Sequence, residues 1–223
     1  MTTSIHILIG DDHRIVREGV KQVLADATDM RVVAEAQSGP EVVATVAQRF
    51  EAGLPLDVVL LDIALPERDG LDVLQHLRKH WPALAVLMLS TYPEKQYAVR
   101  CLKLGAAGYL NKSADPDDMI AAVRKVAAGG RYVSAATAEA LANAIGAASV
   151  KGHATPDALS HREHQVFRLL VCGHSVSEIG AQLGLAANTV STYRARILEK
   201  TGARNDVALA LYAERLANGG APT

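Results

Sequence analysis

Two adjacent carboxylates, Asp11-Asp12, follow the aliphatic run 5–9, and a third, Asp62, closes the run 58–61. A hydroxyl, Ser90, ends the run 86–90, and an ammonium, Lys112, follows the run 108–110. Carboxylates gathered at one point repel one another unless a cation joins them, and hard oxygen donors suit a magnesium ion that keeps several waters. A carboxylate can also act as a nucleophile toward a phosphoryl group, a transfer that needs little beyond positioning and charge neutralisation. The chemistry available to these residues together is therefore Mg2+-assisted capture of a phosphoryl group. Asp62 would be the acceptor, Asp11 and Asp12 would hold the metal with it, Lys112 would neutralise charge, and Ser90 would donate a hydrogen bond to the product. Taken singly, each residue has a plainer explanation: a helix cap for Asp11-Asp12 or Ser90, a turn for Asp62, a solvated surface for Lys112. Their common position at the ends of four apolar runs is what turn chemistry does not predict.

Whether these groups meet depends on the elements that carry them. Strand candidates at 5–9, 31–36, 58–61, 86–90 and 108–110 alternate with helical spacing near 14–27, 40–51, 70–80, 94–105 and 116–128, the last opened by Asp115-Pro116. This βαβ alternation specifies an α/β fold, a doubly wound five-stranded parallel sheet with helices on both faces. In such a sheet ligands bind beyond the carboxyl ends of the strands, where the strand order reverses. All five residues fall there.

After Gly129-Gly130 the texture changes, and 131–158 reads as a linker, alanine-rich and helical at its start. From 159 to 223 every periodic segment is helical. A capping-box spacing of Ser160 and Glu163 opens the first helix, and the second runs from Ser175 to Gly184. The third runs from Asn188 to Lys200 and closes at Gly202, and the fourth lies at about 205–217. On the third, Val190, Ile197 and Thr201 share the buried stripe. Asn188, Thr192, Ala195, Arg196 and Glu199 lie opposite, with Ser191 beside them and Arg194 at a margin. That short-chained polar face suits close approach to base edges, and Arg194, Arg196 and Lys200 are placed to reach phosphates.

The chain has 223 residues, 49% apolar and 21% charged, which excludes a disordered scaffold. Its net charge of −1 conceals two halves: residues 1–130 sum to −3 and 131–223 to +2. No apolar run approaches the roughly 18 residues that cross a bilayer, and no leader pattern opens the chain, so a cytoplasmic protein is expected. Cys101 and Cys172 are too few for a disulfide framework and read as plain buried thiols. The pairs His76/His80 and His161/His164 have metal-compatible spacing but no third ligand nearby, and read as solvated faces.

The order Asp11-Asp12, Asp62-Ile63-Ala64-Leu65-Pro66 with Asp69-Gly70, Leu89-Ser90-Thr91 and Gly105-Ala106-Ala107-Gly108-Tyr109-Leu110-Asn111-Lys112 resembles a response-regulator receiver domain over about residues 4–128. The resemblance implies that Asp62 takes phosphate from a partner sensor histidine kinase. It implies that Asp11, Asp12, Asp62 and the backbone carbonyl of Ala64 or its neighbour Ile63 hold Mg2+, that Lys112 pairs with the phosphate, and that Ser90 and Tyr109 form a switch pair. Residues 159–212, with Thr189-Val190-Ser191-Thr192-Tyr193-Arg194, resemble a LuxR-type helix-turn-helix. The whole chain is similar to the NarL/FixJ family. Implied are a transcription regulator of double-stranded promoter DNA, a homodimer on phosphorylation, and no enzyme activity beyond phosphoryl transfer and loss at the receiver. Two other readings stand beside this one. A Mg2+-dependent phosphatase would share the Asp nucleophile, although Ala64 occupies the place of its usual second acid. A DNA-binding protein could also use its receiver for docking alone.

Overall fold

The structure, a computed structural model, describes residues 4–91, 94–135, 137–139, 159 and 161–217. It divides into two compact units, Met1–Val150 and Lys151–Thr223. Tyr92, Pro93, Ala136, all of 140–158, Ser160 and the chain ends fall outside the described residues, and with them the expected cap at Ser160.

The first unit alternates β1 (Ile5–Gly10), α1 (Arg14–Ala25), β2 (Met30–Ala36), α2 (Gly39–Glu51), β3 (Val58–Asp62), α3 (Gly70–His80), β4 (Ala85–Ser90), α4 (Glu94–Lys103), β5 (Gly108–Asn111) and α5 (Pro116–Ala127). The strands form one parallel sheet in the order β2-β1-β3-β4-β5, the expected doubly wound fold. β3 is central and buried along its whole length, which its unbroken Val-Val-Leu-Leu run requires of a strand covered on both faces. Because successive side chains alternate, Leu8, Val59, Leu61, Val86 and Met88 pack against α2, α3 and α4. Ile7, Ile9, Val58, Leu60, Leu87 and Leu89 pack against α1 and α5. Truncating one of these fully buried leucines to alanine would cost about 2–5 kcal/mol.

Local chemistry sets the helix starts. Ser38, Asp69 and Asp115 cap α2, α3 and α5 by accepting the amides of Glu41, Leu71 and Asp117. α1 has no side-chain cap; its N-cap residue is His13. Asp11 and Asp12 therefore do not serve as a helix cap, which leaves their carboxylates for other chemistry. The strands also run one residue beyond several expected ends, so that Asp62 is itself the last residue of β3.

The start of the expected linker is docked. Tyr132 makes a parallel bridge to Gly108, and its amide donates to the Ala107 carbonyl at 2.9 Å. Gly108 permits this approach, since a Cβ there would lie 2.8 Å from the Tyr132 carbonyl oxygen.

The second unit packs α6 (His161–Val171), α7 (Val176–Leu183), α8 (Ala187–Thr201) and α9 (Asp206–Ala217) around Leu159, Val166, Phe167, Leu170, Ile179, Val190, Ile197 and Leu209. Ser175 and Glu178 form a complete capping box, and Gly184 ends α7 in the left-handed conformation at φ 63°. Cys101 is buried and its thiol is pushed up to about 12 by that burial, but Cys172 is exposed, because the turn after α6 leaves its side chain outside the core. His76 and His80 stack at 4.1 Å on the α3 surface without a third ligand among the described residues. No helix of the described residues is long and apolar enough to cross a membrane.

Candidate functional site

The sheet order reverses between β1 and β3, and their carboxyl ends carry Asp11 and Asp62 to one point. Both are buried: their side chains are 1% and 3% exposed. Lys112, just past β5, reaches both, at 2.6 Å from Asp11 Oδ2 and 2.9 Å from Asp62 Oδ2. Two buried carboxylates thus share one ammonium, and the enclosed charge is −1. Burial pushes the Asp62 carboxyl above the usual carboxylate range, and the nearby Asp11 adds to the effect. The Lys112 charge and an amide hydrogen bond from Ala64 oppose it without cancelling it. Burial would lower the Lys112 ammonium, but Asp62 and Asp11 outweigh burial and raise it.

Asp12 completes the acidic set from the exposed side. One oxygen each from Asp11, Asp12 and Asp62, together with a ring nitrogen of His13, lie within 4.8 Å of one another. A buried net negative charge bordered by a half-exposed carboxylate is a donor set for a hard divalent cation, with an open side for water. Mg2+ fits these residues. Ala64, whose carbonyl is the expected further ligand, is half-buried in the β3-α3 loop, and its amide is hydrogen-bonded to the Asp62 carboxylate.

Ser90 is fully buried at the end of β4, and the Tyr109 ring is 1% exposed. Tyr109 pairs across the sheet with Met88, on the face that packs against α4, and its hydroxyl is hydrogen-bonded with Ser90. The switch pair expected from sequence is thus in contact, with the aromatic ring in its inward position.

Three supporting groups were given no role by sequence. His13 places Nδ1 2.7 Å from Asp12 Oδ1. Gly70 lies against Asp62 itself: a Cβ there would meet the Asp62 carbonyl oxygen at 2.0 Å, so only glycine lets the loop close on β3. Arg17 is 6% exposed and donates from Nη1 to the Asp11 carbonyl at 2.8 Å and from Nε to Glu35 at 3.0 Å. Its signal was legible, since position 17 shares the buried stripe of α1 with Val20 and Leu24, and a cation there needs partners.

In the second unit, α8 buries Val190 and Ile197 and exposes Asn188, Thr189, Ser191, Thr192, Ala195 and Arg196. A shallow hollow on this helix is lined by Asn188, Thr189, Thr192, Tyr193 and Arg196. Two of the expected phosphate-reaching cations hold the fold together. Arg194 Nε lies 2.8 and 3.0 Å from the Asp206 oxygens at the start of α9. Lys200 lies 2.6 Å from Glu163 of α6, which is 2% exposed. Sequence showed Glu163 only as a capping residue. Both cations remain about a third exposed, so a phosphate would compete with these carboxylates for them.

Comparison with known proteins bears on the reading of both units. Residues 7–124 match the response regulator receiver domain, and residues 157–213 match the luxR family of bacterial regulatory proteins. The response regulator GacA of Pseudomonas aeruginosa is 36% identical over 95% of this chain and 96% of its own. The transcriptional regulatory protein UhpA of Escherichia coli K12 is 39% identical over 92% of this chain and 96% of its own. Among solved structures, RcsB of Salmonella enterica serovar Typhimurium, bound to the promoter rprA in the presence of phosphomimetic BeF3−, superposes with a TM-score of 0.59. It covers 95% of this chain and 99% of that one at 22% identity, a likeness of fold.

Proposed function

The chain belongs to the NarL/FixJ-type two-component response regulators, a receiver joined to a LuxR-type DNA-binding domain, and from that premise we propose that Asp62 accepts a phosphoryl group from a sensor histidine kinase to control promoter binding. The observation that carries this reading is the pair of buried carboxylates sharing one lysine. A carboxylate oxygen of Asp62 attacks phosphorus in line, the donor bond breaks, and an acyl phosphate forms on β3. Lys112 leaves the Asp62 carboxylate for a phosphoryl oxygen, and the Ala64 amide and Ser90 hydroxyl donate to the group. Mg2+ would be held by Asp11, Asp12 and Asp62 with the Ala64 carbonyl, and would supply neutralising charge to the phosphoryl group. Arg17 fixes the Asp11 backbone, so the metal-binding carboxylates keep their places.

Ser90, drawn toward the phosphoryl group, keeps Tyr109 inward and so selects one of two packings of the α4 face. The selected surface promotes a homodimer, whose two α8 helices enter successive major grooves of double-stranded DNA about one helical turn apart. Asn188, Thr189, Ser191, Thr192 and Ala195 approach base edges. Arg196 contacts phosphate, and Arg194 and Lys200 add to it as their carboxylates permit.

Incubation with Mg2+ and a small acyl phosphate, followed by intact-mass measurement, tests the reading. One added phosphoryl group that disappears in Asp62→Asn is expected. A wild-type protein that acquires no adduct would sink it. Steady release of inorganic phosphate at many turnovers would favour a phosphatase, and promoter affinity indifferent to a confirmed adduct would favour a docking-only receiver.

A further inference from the structure

The described residues of 131–139, which sequence assigns to a linker, are held to the receiver by the Tyr132 backbone and by one receiver side chain. Glu94, the first residue of α4, accepts a hydrogen bond from the Ser134 hydroxyl and a second, at 3.0 Å, from the Thr137 hydroxyl. Thr137 is 1% exposed, an unusual burial for a threonine in a connecting segment. The Ser134 hydroxyl also accepts the Thr137 amide at 3.1 Å, and the Ala138 amide donates to the Ser134 carbonyl at 2.9 Å, so the segment is folded around the Glu94 carboxylate. Two residues earlier, the Tyr132 backbone lies on Gly108, the neighbour of Tyr109 in β5. The Glu94 charge is felt by the phenols of both Tyr109 and Tyr132. One carboxylate, at the start of the helix that packs beside β5, thus holds the chain that leaves the receiver.

We propose that Glu94 is a clasp that docks residues 131–139 on the α4-β5 edge when Tyr109 is inward, and so transmits the state of the phosphorylation site to the outgoing chain. The clasp uses no residue of the acidic site. Its partners are this chain's own Ser134 and Thr137, and the acceptor is an ionised carboxylate, the stronger kind of hydrogen bond. When α4 shifts with Tyr109, Glu94 moves with it and the segment loses both side-chain anchors, while the Tyr132 bridge alone remains.

This inference rests on Asp62 phosphorylation, and its test is arranged to tell the two apart. Amide hydrogen exchange of the full chain is followed at Tyr132, Thr137 and Ala138, with and without beryllofluoride and Mg2+, for wild type, Glu94→Ala and Thr137→Val. Acyl-phosphate adducts of all three proteins are counted separately by intact mass. Adduct formation is expected in every protein. Beryllofluoride should slow exchange of 131–139 in wild type roughly tenfold, within the usual range for coupled sites, and this slowing should be lost in both variants. Equal slowing in the variants, or none in a wild type that carries the adduct, overturns the clasp. If no adduct forms, the functional reading fails instead. The clasp then stands only if Glu94→Ala by itself speeds exchange of Thr137 and Ala138 several-fold.

Discussion

Replacing Asp62 by asparagine is expected to make the metal-free protein more stable at neutral pH, although the change removes an ion pair. Asp11 and Asp62 offer oxygens within 4.8 Å of each other, a repulsion of about 3–4 kcal/mol at an effective dielectric of about 20. The Lys112 contact at 2.9 Å returns about 5–6 kcal/mol on the same scale. Taking a carboxylate that is 3% exposed out of water costs several kcal/mol more. Repulsion and burial together exceed the attraction by about 1–3 kcal/mol, in agreement with the raised Asp62 carboxyl. Asparagine keeps the volume and leaves Lys112 paired with Asp11 alone, a neutral arrangement. The pH dependence has a definite sign. A carboxyl raised in the folded state binds its proton more tightly there, so its contribution is most favourable at low pH and is lost as pH rises through the folded value. The gap between variant and wild type should therefore be largest at neutral pH and narrow as the pH falls toward about 4, the ordinary carboxylate value. Urea unfolding with a chelator, from about pH 8 to about pH 5, reads both quantities. Added Mg2+ should reverse the order, stabilising wild type by about 2.7 kcal/mol at a hundredfold excess over its dissociation constant and the variant far less. An Asp62→Asn protein less stable than wild type in chelator at neutral pH, or a gap that widens on acidification, would refute the reasoning.

Gly70→Ala should place a methyl group on the Asp62 carbonyl and lower the rate of phosphorylation by acyl phosphate at least roughly tenfold, with loss of stability of about 1–3 kcal/mol, read by intact mass and urea unfolding. Arg17→Met should weaken divalent binding roughly 10- to 100-fold, as loss of groups that orient metal ligands does, measured by calorimetric titration of Mg2+. A double-mutant cycle of Arg194→Ala and Asp206→Ala should give a coupling of about 0.3–1 kcal/mol, since the pair is more than a third exposed. Arg196→Ala should weaken promoter binding and lower the slope of log affinity against log salt by about 1, and an unchanged slope would count against a phosphate contact there.

The acidic site was legible because its residue types are costly to place together without a cation, and because an open parallel sheet brings strand ends to one edge. That the sheet is parallel and five-stranded followed from alternation, but the order of its strands did not. The supporting groups were less visible. Arg17 had only the unread signal of a charge in a buried stripe, and Gly70, although part of the receiver-like order, gave no sign of its close backbone approach to Asp62. Glu94 looks like any acidic residue in a first helical turn until Ser134 and Thr137, forty residues away, are brought beside it. The roles of Arg194 and Lys200 were read from one helix alone, with Arg194 at the margin of its buried stripe. Their carboxylate partners, Asp206 and Glu163, sit on other helices, and long-range ion pairs leave no local periodicity.

The two faces of the sheet do not hear the same message. Ser90 and Tyr109 both project toward the layer of α2, α3 and α4, while Leu89 and Leu110, their immediate neighbours, project toward α1 and α5. A change in the Tyr109 ring is therefore addressed to one side of the molecule by the parity of its position in the strand. A partner seated on α1 and α5 would meet the same surface before and after phosphorylation, and could deliver the group without sensing that it had been delivered. One seated on α4 and the edge of β5 would find two different surfaces. Sender and receiver of the signal can thus be separated by nothing more than an odd or an even residue number.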